Sequence, residues 1–150
     1  MQMRVVPAVP EAGTDPGRTV QLIWLRAAER LPDDPLLHAC ALTYASDLTL
    51  AATAALSIQE PFYRRRGPRR VFMSSLDHAV WFHRLFRSDE WLLFAQHSPS
   101  LGDGRGLSHG EFWSADGRLV ASVVQETLVR TLRDEPASPA GANGATGSNP

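Results

Sequence analysis

The segment Val71–Arg84, VFMSSLDHAVWFHR, concentrates side chains that could act on a substrate. It holds hydroxyls, a carboxylate, imidazoles and an indole: Ser74, Ser75, Asp77, His78, Trp81 and His83. A hydroxyl, a carboxylate and an imidazole are the groups of a serine-hydrolase triad. In an extended strand, however, the neighbours Asp77 and His78 point to opposite faces, and the sequence has no G-x-S-x-G elbow. The segment therefore predicts a strand covered on both sides, whose polar groups need partners elsewhere.

A second candidate, Asp47, follows an apolar run that predicts a helix from Leu36 to Ala45. Asp34 is a suitable N-cap, and Pro35 suits the first helical turn. Because the run is apolar nearly all round, we expect a buried helix. A carboxylate at its C-terminal end opposes the helix dipole and, if desolvated as we expect, could take a proton from water. The structural alternative is an Asp47 side chain satisfied by loop amides.

Gln125 and a cluster of arginines are candidates for binding. Gln125 lies in the apolar run VASVVQETLV, where a buried carboxamide needs partners for up to four hydrogen bonds. The arginines surround a Gly-Pro pair: Arg64, Arg65, Arg66, Arg69 and Arg70. They predict either a solvated loop or a contact to an anion such as a phosphate-bearing ligand.

Composition excludes several classes of protein. All fifteen basic residues are arginine, so Schiff-base and lysine general-base chemistry is ruled out. A net charge of −1 gives no global field that would favour nucleic acid or an anionic membrane. The single cysteine, Cys40, rules out a disulfide framework within one chain, and we expect it to be a small buried residue. The five histidines lack the spacing of metal ligands, so we expect neither a metal nor a cofactor.

The sequence gives no sign of a membrane segment. No apolar run approaches the roughly 20 residues of a membrane span. The apolar stretch at the N-terminus is also too short for a signal peptide. We therefore expect a cytoplasmic protein that does not contact a membrane.

The order of predicted elements indicates one α+β domain at residues 18–133. A strand at Arg18–Ala27 precedes the helix, and an irregular stretch follows the helix as far as Arg70. Four strands come next, and their order predicts an antiparallel meander: Val71–Phe82, Glu90–Pro99, Arg105–Ser114 and Arg118–Arg130. We expect a curved antiparallel sheet wrapped around the central buried helix. Composition predicts a flexible or extended lead-in at residues 1–17 and a disordered tail at 134–150.

Several segments together resemble the C-terminal half of the acyl-CoA thioesterase II (TesB-like) family. They are YASDL, SSLDHAVWFHR, DEWLLF and RGLSHGEFWSADGRLVASVVQE, within a match from about Val20 to Leu132. The resemblance implies a hotdog fold, in which the sheet wraps a helix, and hydrolysis of acyl-CoA to free fatty acid and CoA. It also speaks against the hydratase branch of the hotdog folds, since V-Q-E is a thioesterase motif.

The resemblance also implies which residues act. The Asp of Y-A-S-D is Asp47, the hydroxyl residue before L-D-H is Ser75, and the Gln of V-V-Q-E is Gln125. In the family these three bind and orient a water that attacks the thioester. The candidates for substrate binding are His78, Trp81, Arg64, Arg65 and Arg66, the arginines as contacts to CoA phosphates.

The length of the chain bears on its partners. Typical members of the family carry two hotdog domains in about twice this length. A lone hotdog exposes a sheet edge that can pair with another chain. We therefore expect a homo-oligomer or pairing with a second hotdog domain, with a truncated product of impaired activity as a third possibility. The alternative function is a non-catalytic or partner-dependent acyl-CoA-binding subunit.

Overall fold

The computed structural model describes residues 1–7, 19–58 and 71–132. The elements in these ranges are β1 (Gln2–Val5), β2 (Thr19–Arg26), α1 (Pro35–Asp47), α2 (Leu50–Thr53), β3 (Val71–Ser75), β4 (Ala79–Phe82), β5 (Leu92–Gly102), β6 (Arg105–Ser114) and β7 (Leu119–Thr131). No helix in these three ranges is long and apolar enough to span a membrane. The predicted arginine contacts at Arg64–Arg66, the tail at 134–150 and most of the lead-in lie outside the described residues.

The strands form one antiparallel sheet in the order β1-β2-β5-β6-β7-β3, with β4 also paired to β7. The predicted α+β architecture of an antiparallel sheet against a helix is confirmed. The predicted four-strand meander is wrong, because only β5–β6–β7 follow one another as neighbours. Tight turns at Asp103–Gly104 and around Gly117, with positive φ values of 49°, 73° and 79°, enforce those pairings. The longer connection from β4 to β5 does not, so β2 takes the free side of β5 while β3 and β4 join β7.

Helix α1 begins where the sequence predicts. The Asp34 side chain accepts a hydrogen bond from the Leu36 amide at 2.9 Å, and Pro35 occupies the first turn. One side of the helix packs on the face of the sheet that we call the inner face, which carries the buried side chains. The buried helical residues are His38, Leu42, Ala45 and Ser46.

The opposite side of α1 is exposed, so the prediction of a helix buried all round is wrong. Leu36 is 71% exposed and Tyr44 is 67% exposed. Cys40 is exposed as well, contrary to its expected burial. The physical reason is that a single sheet can cover only one side of a helix. The apolar character of the other side is thus left facing solvent in the isolated chain.

The core lies between α1, α2 and the middle of the sheet. Phe94 and Phe112 stack at its centre with ring centroids 4.0 Å apart. Gly110 makes room for them, since a Cβ there would stand 2.3 Å from the Phe94 ring. The buried apolar side chains around this pair include Ile23, Leu25, Leu42, Leu50, Leu92, Val120 and Val123. Each such side chain contributes about 1.5–3 kcal/mol through burial.

The first strand, β1, falls within the stretch predicted to be a flexible or extended lead-in, and for residues 2–5 the expectation of flexibility is wrong. It pairs with β2 along its whole length. The guanidinium groups of Arg4 and Arg26 lie 4.5 and 4.7 Å from the centre of the Trp91 ring. These cation–π contacts add to the backbone pairing. Partners so distant in sequence are invisible to local composition.

The loop that leads into α1 is fixed by an ion pair between Arg87 and Asp89. The Asp89 carboxylate accepts hydrogen bonds from Arg87 Nε at 2.9 Å, from Arg87 Nη2 at 2.8 Å and from the Leu31 amide at 2.8 Å. Arg87 also contacts Asp33 and donates to the Leu31 carbonyl at 2.9 Å. The hydrogen bond from Arg87 is the main cause that holds the pKa of Asp89 well below its usual range.

Candidate functional site

Three side chains from three separate elements meet at one edge of the inner face. Gln125 Nε2 donates hydrogen bonds of 2.6 Å to both Asp47 Oδ1 and Ser75 Oγ. Asp47 is the last residue of α1, Ser75 is the last residue of β3, and Gln125 lies in the middle of β7. The three residues carried over from the family resemblance are therefore brought together by the fold. Their separation in the sequence, 78 residues from Asp47 to Gln125, hides this contact from any local pattern.

A one-residue bulge between β3 and β4 shapes this edge. Ser75 pairs with Thr127 of β7. Ala79 pairs with Val124, so four residues advance on one side against three on the other. The bulge reverses the alternation of faces, which places His78 on the inner face beside Ser75. The uninterrupted strand predicted from Val71 to Phe82 is thus wrong at this point.

Asp77 holds the bulge in place. Its Oδ1 accepts a hydrogen bond from the Glu126 amide at 2.7 Å, and the Leu76 amide donates to the Glu126 carbonyl at 2.9 Å. The bulge would otherwise leave the Glu126 amide without a ladder partner. Asp77 therefore serves the backbone, not an imidazole, as the argument against a local triad predicts.

His78 stands next to the carboxylate of Asp47. Its Nε2 is 2.7 Å from Ser46 Oγ, and its Nδ1 is 3.7 Å from Asp47 Oδ1. The Ser46 hydroxyl donates to the Thr43 carbonyl at 2.7 Å, so its oxygen is free to accept from Nε2 of His78. Nδ1 is buried and has no hydrogen-bond partner among the described residues. The ring is therefore fixed at Nε2 and presents Nδ1 toward the catalytic candidates.

The exposure of the three residues differs sharply. Gln125 is fully buried, whereas Ser75 is exposed and the Asp47 side chain is 59% exposed. The expected desolvation of Asp47 is therefore not found in the isolated chain. Asp47 is exposed because the C-terminal end of α1 reaches the open edge of the sheet. The site is buried on the protein side and open on the side from which a ligand or a partner would approach.

Trp81 and His83 do not join this set. Trp81 pairs with Ser122 on the outer face, the sheet face away from the helices, and is 51% exposed. His83 Nε2 lies 2.9 Å from the same Ser122 hydroxyl. The predicted substrate contact at Trp81 would need this residue on the face of Ser75, which the two would share in a strand without the bulge. The bulge instead puts them on opposite faces.

Comparison with known proteins places the chain in a family. The family model described as acyl-CoA thioesterase matches residues 4–128. The chain belongs to the acyl-CoA thioesterase family. It is 39% identical to acyl-coenzyme A thioesterase 8 of Mus musculus over 111 residues, which are 73% of this chain and 33% of that protein. It is 36% identical to acyl-CoA thioesterase 2 of Haemophilus influenzae over 110 residues, 73% of this chain and 37% of that protein.

Two solved structures have similar folds. The chain is 45% identical to acyl-CoA thioesterase II TesB2 from Mycobacterium marinum, with a TM-score of 0.73 over 87% of this chain and 49% of that one. A thioesterase from Haemophilus influenzae, at 10% identity and a TM-score of 0.65, shows the likeness of fold alone. The predicted hotdog fold and TesB-like family are thus confirmed. The chain spans about a third of the length of the curated relatives and about half of TesB2.

Sequence reasoning missed one member of this candidate site. Ser46 is fully buried and holds the His78 ring. A single serine within an apolar helical run does not by itself indicate such a contact. The position of Ser46 directly before Asp47 in Y-A-S-D was the available signal. Among the described residues, no three His, Cys, Asp or Glu side chains gather as they would around a metal ion.

Proposed function

We propose that this chain hydrolyses acyl-CoA thioesters to free fatty acid and CoA. The observation that carries the proposal is the pair of 2.6 Å hydrogen bonds by which Gln125 joins Asp47 to Ser75. Membership of the acyl-CoA thioesterase family supports the same substrate class. The three residues would bind one water molecule and direct it at the thioester carbonyl.

In the proposed reaction, Asp47 acts as general base. The water oxygen attacks the carbonyl carbon while Asp47 takes one of its protons. The tetrahedral intermediate then collapses, the carbon–sulfur bond breaks and the CoA sulfur leaves, taking up a proton. Exposure of Asp47 leaves a carboxylate oxygen accessible to the water, and the hydrogen bond from Gln125 fixes its orientation.

The contacts of Ser75 favour this water attack over an acyl-serine intermediate. Its hydroxyl accepts from Gln125 Nε2 and donates to the Asp77 carbonyl at 3.1 Å. A serine nucleophile needs a base that takes its proton. Within the described part of the chain, the Ser75 hydroxyl has no such base among its hydrogen-bond partners. Ser75 is thus suited to hold a water and not to attack.

His78 is the described residue best placed to contact the substrate beside Asp47. Its Nδ1 is the buried polar atom that faces the carboxylate, at 3.7 Å. We assign to His78 a contact to the substrate beside Asp47. The arginines 64–66, which lie outside the described residues, are proposed contacts to the CoA phosphates. Equal affinity for CoA and dephospho-CoA, or unchanged affinity after Arg→Ala replacement, would count against that contact.

A second hotdog domain is proposed to cover the open side of the site. The exposed side of α1 and its C-cap present Leu36, Leu37, Tyr44 and Leu48, of which the last two are close to Asp47 in sequence, and the chain spans about half of TesB2. An apolar surface of this kind beside a reactive carboxylate is typical of an interface. The partner is either a second copy of this chain or a separate hotdog chain, and sedimentation of the purified chain distinguishes the two. A cytoplasmic location is a further prediction, which cell fractionation tests.

Release of free thiol from a long-chain acyl-CoA tests the proposed activity. The purified chain should release CoA, and Asp47→Ala should lose that activity while remaining folded. The alternative is a partner-dependent acyl-CoA-binding subunit. It is favoured if a well-folded oligomer of the unmodified chain binds acyl-CoA but releases no thiol.

A further inference from the structure

Three buried polar atoms behind the candidate site have no hydrogen-bond partner within the described residues. They are Gln125 Oε1, Ser108 Oγ and Thr127 Oγ1. All three residues are fully buried. A buried polar group left without a partner costs about 1–3 kcal/mol. Three such atoms close together therefore indicate a binding feature that the protein maintains.

The register of the sheet places these residues side by side. Ser108 of β6 is directly opposite Gln125 of β7. Directly opposite residues have Cβ atoms about 4.5–5.5 Å apart. Thr127 is two residues further along β7, so it shares the inner face with Gln125, and it pairs with Ser75. Both residues are thus neighbours of Gln125 on the inner face, Ser108 on the adjacent strand and Thr127 on the same strand.

The orientation of the Gln125 carboxamide has to be enforced. Its nitrogen donates to Asp47 and Ser75. A rotation of 180° would exchange nitrogen and oxygen and turn the oxygen toward the carboxylate of Asp47. A donor that binds Oε1 would prevent this rotation. Hydroxyl groups are suited to that role because each can donate one hydrogen bond.

A second buried glutamine of this chain has its side-chain oxygen bound by hydroxyl groups. Gln96 is also fully buried on the inner face. Its Oε1 accepts hydrogen bonds from Thr49 Oγ1 at 3.0 Å and from Thr53 Oγ1 at 2.9 Å. Two hydroxyls therefore fix one glutamine oxygen in this fold already. At Gln125 two hydroxyls are again present, but neither lies within direct hydrogen-bond geometry of Oε1.

We propose that Ser108 and Thr127 are positioning residues that hold the Gln125 carboxamide through one enclosed water molecule. The water donates to Gln125 Oε1 and accepts from the two hydroxyls, which satisfies all three atoms. Buried waters typically make about three hydrogen bonds to groups that lack other partners. The role of this water rests on the proposed function, since it keeps Nε2 directed at Asp47 and Ser75.

Variants that remove each hydroxyl test the inference by kinetics. Ser108→Ala and Thr127→Val should each lower kcat for acyl-CoA hydrolysis about tenfold with little change in KM, because each loses one hydrogen bond to the water. Thr127→Ser should restore kcat. Matched controls are Ser100→Ala and Thr131→Val, which remove exposed hydroxyls from β5 and β7.

In a Gln125→Ala background, Ser108→Ala should cause no further fall in kcat. A fall of equal size there, or unchanged kcat in both single variants, would overturn the inference.

A second measurement does not depend on activity. The side-chain amide signals of Gln125, identified by their absence from the Gln125→Ala spectrum, should exchange with solvent about tenfold faster in Ser108→Ala than in the unmodified chain. If the unmodified chain released no thiol, the proposed function would fail while this exchange still reported on the water. Equal exchange rates in an active enzyme would overturn the positioning role alone.

Discussion

The two ends of helix α1 each have a carboxylate beside them, and the two carboxylates are bound in opposite ways. At the N-terminal end, Asp89 is 7% exposed and accepts three hydrogen bonds, two of them from Arg87. At the C-terminal end, Asp47 is largely exposed and accepts one described hydrogen bond, from Gln125. One carboxylate has nearly all its oxygen lone pairs in use. The other keeps them available.

This difference separates a carboxylate that stabilises the structure from one that is available for a reaction. A carboxylate that is saturated by an arginine and a backbone amide stabilises the loop it joins. A carboxylate that opposes the helix dipole, and has few partners, costs stability where it stands. We therefore propose that Asp89 anchors α1 and that Asp47 takes part in the reaction.

Asp47→Asn should have the largest effect. We expect kcat for acyl-CoA hydrolysis to fall about 10³-fold, because the general base is removed. The free energy of unfolding should stay within about 0.5 kcal/mol of the original value, since a charge that opposes the helix dipole is lost. Thiol release and urea unfolding measure the two quantities. Unchanged turnover together with a clear loss of stability would reverse the assignment of Asp47.

Gln125→Ala should give the next largest effect, about a 10²-fold fall in kcat with the fold retained, because the water and Asp47 lose their alignment. The matched change is Gln96→Ala, which removes the other fully buried glutamine of the inner face. It should leave turnover per folded molecule unchanged and lower the free energy of unfolding by about 2 kcal/mol. Full activity in Gln125→Ala would show that the proposed set of three is mistaken.

Asp89→Asn should lower the free energy of unfolding by about 2 kcal/mol, because Arg87 loses its bidentate partner. Turnover per folded molecule should not change. Asp116→Asn is the matched control, since Asp116 pairs with Arg118 in the same i, i+2 spacing but on an exposed turn. A surface pair of that kind contributes little. Equal losses from both variants in urea unfolding would refute the anchoring role of Asp89.

Acid should remove the contribution of Asp89 to the free energy of unfolding of the unmodified chain. Because the pKa of Asp89 is lowered in the folded state, the unfolded chain binds the proton more readily. The stabilising effect of the Asp89 carboxylate is therefore complete above the ordinary Asp pKa of about 3.9 and is lost progressively as the pH falls below about 4. The gap in urea midpoint between the unmodified chain and Asp89→Asn should narrow between pH 7 and pH 2.5. A gap that stays constant with pH would contradict this explanation.

Local patterns predicted much of the fold but not its neighbour relations. The strand Arg105–Ser114 has the bounds predicted, and the start of α1 at Pro35 follows from its cap. These features depend on residues close in sequence. The pairing of β3 with β7 depends on which sheet edge is free, and the exposure of Leu36 depends on a single sheet covering only one side of α1. Neither is encoded in a local pattern.

The candidate site was predictable only through the family resemblance. Residue types alone left Asp47 and Gln125 with structural alternatives, because their contact spans 78 residues. The resemblance pointed to three residues, and the fold places Asp47 Oδ1 and Ser75 Oγ each 2.6 Å from Gln125 Nε2, while their catalytic role stays a prediction. Trp81 shows the limit of strand alternation, since one extra residue in the bulge moved it to the outer face.

The bulge between β3 and β4 makes the site sensitive to the length of the chain as well as to residue identity. Because side chains alternate with a period of two, a residue inserted after His78 that the bulge does not absorb would shift every later position of β4 to the other face and turn Trp81 inward. A deletion of Leu76, in contrast, would leave three residues against three, so the bulge would be lost while His78 stayed on the inner face and Trp81 on the outer face. Within the acyl-CoA thioesterase family, an insertion at this point would therefore be a route to a changed active site that no comparison of aligned substitutions would reveal.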